Sequence, residues 1–192
     1  MEPAQAARQQ FPPSGFAGMT NRVGVKPILA ACNGYAFGGG FEIILNADIV
    51  IASESASFGL LEGKRGLAAL AGALPRVIRN FGLQRAMDLG LTARILPVRE
   101  AQQWGLVKDV VPAEQLVERA VAVAREITAL SPDSVVVTRA GIREGWEVGS
   151  LNRATAATAE RYRYRLFSGE NMREGLAAFQ EKREPVWKPS RL

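Results

Sequence analysis

Asn33 to Asp48 reads NGYAFGGGFEIILNAD, a turn dipeptide, then three consecutive glycines, then a short run that is apolar almost all round. An apolar circumference suits a core helix, so Phe41 to Ala47 (FEIILNA) is expected to be helical and buried. Upstream, Pro27 to Asn33 (PILAACN) is continuously apolar and closes on Asn33-Gly34, the pattern of a buried strand ending in a turn. Downstream, Asp48 to Ser53 (DIVIAS) reads as the next strand. Strand, glycine turn, helix, strand is the order of a crossover unit and predicts parallel pairing in an α/β fold. The glycines admit two readings. Either their backbone N–H groups and the helix dipole form a cradle for an oxyanion or phosphate, or they only allow close packing. Glu42 is the sole acidic residue between Lys26 and Asp48, with Phe41, Ile43 and Ile44 around it. Apolar neighbours would raise its pKa; the alternative is a first-turn carboxylate facing water and stabilising the helix dipole.

Composition removes most other chemistry. The chain has 192 residues, no histidine and one cysteine, Cys32. Ser-His-Asp and Cys-His nucleophile pairs are thereby excluded, zinc and iron-sulfur sites of the usual ligand sets are not expected, and a disulfide within the chain is impossible. Proton transfer near neutral pH is left to carboxylates, Lys or Tyr, assisted by fixed backbone dipoles. No apolar run approaches the roughly 20 residues of a membrane helix. With 24 Lys and Arg against 19 Asp and Glu, the net charge of +5 favours anionic ligands. These basic residues are dispersed rather than massed, so nucleic acid is not an expected partner.

Three regions follow from texture. Residues 1–25 carry Pro12, Pro13 and Gly15 and lack a secretory signal, so they read as an irregular arm. Residues 26–111 alternate strands with short helices, expected over Leu70 to Phe81, Gln84 to Leu91 and Val98 to Trp104, and return as a strand at Leu106 to Val111. Within this core, Glu62 ends the strand-like stretch Ser57 to Leu61 and precedes Lys64 and Arg65, which by itself suits a surface ion pair. Residues 112–192 are helical, opening on PAEQLVERAVAVAREITAL, with Ser131-Pro132-Asp133 as a new start, a helix over Leu151 to Phe167 and a last one over Asn171 to Arg183 capped by Asn171 or Ser168. The final Ser190-Arg191-Leu192 differs from the peroxisomal address S-K-L only by Arg for Lys. It is read either as an import-receptor signal or as a surface tail, with the cytoplasm or mitochondrion as the other locations.

The pattern N-G-x-A-x-G-G-G-x-E, an acidic residue at the next strand, and A-S-F-G-x-x-E twenty residues after the first Glu together resemble the crotonase, or enoyl-CoA hydratase/isomerase, family. The resemblance extends from about Lys26 to Lys188, and the ending GLAAFQEKREPVWK looks most like the carnitinyl-CoA dehydratase branch and fungal peroxisomal hydratases. It implies a crotonase/ClpP-like spiral α/β core followed by a helical oligomerisation region, which in this family usually builds trimers or dimers of trimers. It also implies a lyase that adds water reversibly to a 2-enoyl-CoA, with Glu42 holding or deprotonating the water and Glu62 giving the proton to the carbon beside the thioester. By the same resemblance the Gly39 N–H binds the thioester oxygen, Gly38 and Leu70 line the substrate, and Phe179 and Lys182 help hold the coenzyme. That last helix is equally readable as ordinary amphipathic structure. No cofactor or metal is implied beyond the coenzyme A carried by the acyl-CoA substrate. Alternatives are an enoyl-CoA isomerase, or a non-catalytic scaffold or RNA-binding member of the fold.

Two departures bear on these expectations. The family's other oxyanion donor and adenine-pocket loop, an A-G-x-D stretch, has no counterpart in residues 1–25, so the N-terminal part of the family domain is expected to be missing. Residues 67–73 read LAALAGA where hydratases usually carry a proline and more glycines, so Leu70 is expected to narrow the pocket or alter water placement.

Overall fold

A computed structural model describes residues 11–192. Strand β1 (Leu29–Cys32) ends at Asn33-Gly34, and the chain resumes as β2 (Tyr35–Phe37), helix α1 (Gly39–Ile44) and β3 (Ile49–Ser53). β1 and β3 pair in parallel from Leu29 with Ile49 to Cys32 with Ala52, the crossover geometry expected from the sequence. Asp48 fixes where this pairing starts: its Oδ2 accepts from the Ile28 N–H at 2.8 Å, while its own N–H donates to the Ile28 carbonyl at 2.9 Å. β6 (Asp109–Val111) adds on the far side of β3, also in parallel. A second three-stranded sheet joins β2 to β4 (Ser57–Gly59) in parallel and β4 to β5 (Leu96–Pro97) in antiparallel fashion. β2 and β5 are too short for periodicity to reveal, and β2 opens on Tyr35, which is exposed.

The core under these sheets is built from Phe41, Phe58, Leu89, Leu96 and Val77, with alanines at 36, 52, 73 and 101 allowing close approach. The Phe41 and Phe58 ring centroids lie 5.6 Å apart. Three helices follow: α2 (Ala73–Phe81), α3 (Leu83–Thr92) and α4 (Val98–Gln103). The helix expected from Leu70 starts only at Ala73, because Gly72 takes a left-handed conformation (φ 115°) that a continuing helix excludes.

Residues 11–25, read from sequence as an irregular arm, contain a turn at Pro12–Gly15 and a 3-10 turn at Phe16–Gly18; residues 1–10 of that arm lie outside the described residues. The segment is bound to the core. The buried Asn46 amide donates to the carbonyls of Met19 (2.8 Å) and Arg22 (2.9 Å). Thr20 is fully enclosed and accepts from the Phe16 N–H at 2.9 Å.

The chain divides into two compact units, one running up to Gly24 and from Ile28 to Ala120, the other comprising Val25–Pro27 and Val121–Leu192. Helical texture begins at Pro112, whereas the units part inside α5 (Leu116–Thr128), since Arg119 on its first turns is tied to Asp109 of β6 at 2.8 Å. The second unit is helical, with α6 (Pro132–Glu147), α7 (Leu151–Ser168) and α8 (Glu170–Glu181). Ser131 caps α6 with Pro132 in its first turn, as its sequence suggests. The cap expected at Asn171 or Ser168 is instead Gly169. Because α8 starts at Glu170, Asn171 falls inside its first turn, where its buried side chain binds Asp133 Oδ2 at 2.9 Å and the Lys188 backbone. Among the described residues no helix is long and apolar enough to cross a membrane.

Candidate active site

The glycine turn before α1 is shaped by Gly38, whose φ of 54° is left-handed. Its N–H donates to the Gly59 carbonyl of β4 at 3.0 Å, and its carbonyl accepts from Glu42 at 2.9 Å, closing the first helical turn. Gly39 is the first helical residue, so its N–H lies ahead of any intrahelical acceptor. A side chain at residue 39 would run into the ring of Phe16: an added Cβ would sit 2.8 Å from Cζ and 2.9 Å from Cδ1.

Glu42 projects from this turn into the protein and is only 4% exposed. Its Oε1 accepts from the Ala73 N–H at 3.1 Å, and the Ala71 amide also binds it. Helix α2 has no side chain of its own capping its N-terminus, and Glu42 supplies the acceptor from another element. Burial is the largest influence on this carboxyl and pushes its pKa up; the Ala73 and Ala71 amides pull down, Glu62 pushes up and Arg76 pulls down. The net direction is upward. Of the two sequence readings of Glu42, the structure shows the buried one.

Glu62 opens a 3-10 turn (Glu62–Arg65) just beyond β4. Its Oε1 lies 3.2 Å from where a Cβ on Gly38 would stand, and its Oε2 is enclosed without a hydrogen-bond partner. A carboxylate oxygen shut away from water and left unpaired invites a donor. Sequence alone left Glu62 as a surface ion pair, but no such pair forms among the described residues, and its charge is felt at Glu42 instead. Gly38, Gly39, Glu42 and Glu62 thus come together: two carboxyls of unequal surroundings beside backbone N–H groups at a turn. Such a set can hold a water between two proton carriers and stabilise negative charge on a nearby oxygen.

The remaining residues singled out in the sequence are Leu70, Phe179 and Lys182. Leu70 is 77% exposed on the loop leading to the amides that hold Glu42. Phe179 is exposed on α8, and Lys182 is that helix's left-handed C-cap (φ 54°), both in the second unit. Sequence reasoning did not identify the Ala71 and Ala73 amides, Arg76, Phe16 or Asn46. A helix start at Ala73 without a Ser, Thr, Asp or Asn cap was the available sign that a carboxylate comes from elsewhere.

The raised pKa of Glu42 has a consequence for stability. Below the ordinary glutamate value both folded and unfolded chains hold the proton, and the group contributes nothing. As pH rises through the window up to the folded pKa, the unfolded chain releases its proton first, so this carboxyl increasingly destabilises the fold. The gain in stability from Glu42→Gln is therefore expected to be larger at a pH well above the ordinary glutamate value than at one below it. Urea unfolding at the two pH values checks it; an equal difference at both would show that Glu42 does not titrate there.

Residues 12–190 match the enoyl-CoA hydratase/isomerase family. The match opens upstream of Lys26, where the motif resemblance begins, so the segment carrying Phe16 and Thr20 belongs to the family domain. The chain is 47% identical to mevalonyl-coenzyme A hydratase of Aspergillus fumigatus over 98% of its length and 70% of that protein. It is 46% identical to the mevalonyl-coenzyme A hydratase of Beauveria bassiana, of which it spans 64%. Carnitinyl-CoA dehydratase of Salmonella typhimurium is 36% identical over 96% of the chain and 72% of that protein. Among solved structures, enoyl-CoA hydratase of Mycobacterium tuberculosis superposes with a TM-score of 0.86 at 34% identity, covering 99% of this chain and 75% of that one.

Proposed function

The chain belongs to the enoyl-CoA hydratase/isomerase family, and from that premise we propose that it adds water reversibly to a 2-enoyl-CoA thioester. The observation that carries this reading is the pairing of a buried Glu42 with a Glu62 whose enclosed Oε2 has no partner, both beside the Gly38-Gly39 turn. In the hydration direction Glu42 accepts a proton from water as its oxygen bonds to C3. Glu62 gives a proton to C2, and the C2–C3 double bond becomes single. The electron pair displaced toward the thioester oxygen is stabilised by the Gly39 N–H, a contribution of the kind worth ~3 kcal/mol in barrier. Dehydration runs the same steps backwards. Two carboxyls beside one water can serve in turn as acid and base. An isomerase moves a proton between carbons and needs one such group; the presence of both favours hydration.

For the acyl group, the two fungal relatives support mevalonyl-CoA, a 3-hydroxyacyl thioester whose loss of water gives a 2-enoyl thioester. The test is to incubate the purified chain with mevalonyl-CoA and follow the ultraviolet absorbance of the conjugated thioester, with a short straight-chain 2-enoyl-CoA and carnitinyl-CoA in parallel. Appearance of the conjugated product, fastest with mevalonyl-CoA, is expected. No turnover of any of the three would overturn the reading.

Under the same reading, copies of the chain assemble through the helical unit, whose exposed Leu151 and Phe167 support this, and sedimentation of the purified chain checks it. Ser190-Arg191-Leu192 is proposed as a peroxisomal address, checked by the location of a fusion that leaves the C-terminus free.

A further inference from the structure

We propose that Phe16 is the specificity-determining wall of the acyl site, its ring limiting the size of the acyl group that reaches the Gly39 turn. The inference rests on the thioester site described above and adds a residue to it. The Phe16 ring fills the space that a side chain on Gly39 would take, in contact with the backbone of the turn that precedes Glu42. It is 38% exposed, so the glycine covers the ring only in part, and Phe11 meets it in a T-shaped contact at a centroid distance of 5.9 Å.

The backbone that bears the ring is held in place. Its residue's N–H is bonded to Thr20 Oγ1, and the enclosed Thr20 hydroxyl stands where a Cβ on Gly15 would fall. Asn46, just beyond the helix that bears Gly39 and Glu42, grips the Met19 and Arg22 carbonyls from the core side. Asn21 Oδ1 accepts from Arg76, a cation whose field reaches Glu42. The intervening backbone is strained: Ala17, a residue with a side chain, sits in the left-handed region at φ 52°, between Gly15 at φ 80° and Gly18 at φ 70°. Such conformations persist where the surroundings over-determine them, and they concentrate at ligand sites. The segment is thus tied, through Asn46, to the chain just after the helix that presents Gly39 and Glu42, and its Phe16 ring lies against that turn.

A wall of this kind discriminates by volume, and apolar pockets distinguish ligands differing by single methylenes by roughly 10-fold or more. The experiment compares binding of acetoacetyl-CoA and a long-chain 3-oxoacyl-CoA to the full chain by calorimetry, with free coenzyme A as control. These ligands carry the thioester head and need no turnover. The parent is expected to bind the short ligand more tightly. In Phe16→Ala the ratio of the two dissociation constants should shift toward the long ligand by roughly 10-fold, with Phe16→Leu between. A loss of folding alone lowers both affinities together and leaves the ratio where it was, and Phe16→Leu keeps enough volume to test the wall if the alanine variant does not fold. An unchanged ratio in either folded variant, with the parent binding both ligands, overturns the assignment of Phe16 and spares the thioester site. If the parent binds neither ligand better than coenzyme A alone, the site itself is wrong and the inference falls with it.

Discussion

Glu62→Gln is expected to lower the rate of hydration by roughly 10²- to 10⁴-fold, the range usual for losing a positioned proton carrier, with little change in stability. The separation of the two effects follows from geometry. Glu62 Oε2 has no hydrogen-bond partner, so an amide of the same shape breaks no internal bond. What disappears is the proton for C2 and the electrostatic push on Glu42, whose carboxyl should consequently become easier to ionise. The rate of water addition to a 2-enoyl-CoA and the urea midpoint, measured on the same preparation, check both parts. Wild-type turnover in this variant would remove Glu62 from the reaction.

Phe41→Ala is expected to cost about 3–5 kcal/mol of stability. The side chain is fully buried and its ring lies against Phe58, so truncation leaves a cavity in the centre of the first unit. A domain of ordinary stability has only about 5–15 kcal/mol in total, so this variant should be marginal at 37 °C. Phe41 also separates the glycine turn from Glu42 on a helix of six residues, too short to hold its shape without packing. Loss of the ring is therefore expected to abolish activity through the site's geometry as well as through unfolding. Equilibrium unfolding in urea gives the comparison, and a loss below about 1 kcal/mol would show that the core relaxes around the gap.

Much of the core architecture was legible because it depends on continuous apolar runs bounded by turn residues. Pro27–Asn33, Asp48–Ser53 and the intervening FEIILNA became a parallel pair and its crossover helix. Beginnings of helices were harder. Gly72 and Gly169 set the starts of α2 and α8 by backbone conformation, which no periodicity encodes. The candidate carboxylates were found by residue type and spacing, yet their convergence was not derivable from local pattern, since the path from Glu42 to Glu62 runs through β3 and β4. Phe16 was passed over because it lies in a Pro- and Gly-rich segment, where a lone aromatic carries no periodic signal. Its place is fixed by Asn46 and Thr20, contacts distant in sequence or confined to a single irregular turn.

The most direct test is a crystal structure of the chain with a bound 3-oxoacyl-CoA. The thioester oxygen is expected within hydrogen-bond distance of the Gly39 N–H, with the carboxyls of Glu42 and Glu62 both facing the acyl carbons next to it. A thioester seated away from that turn, or flanked by only one of these carboxyls, would contradict it.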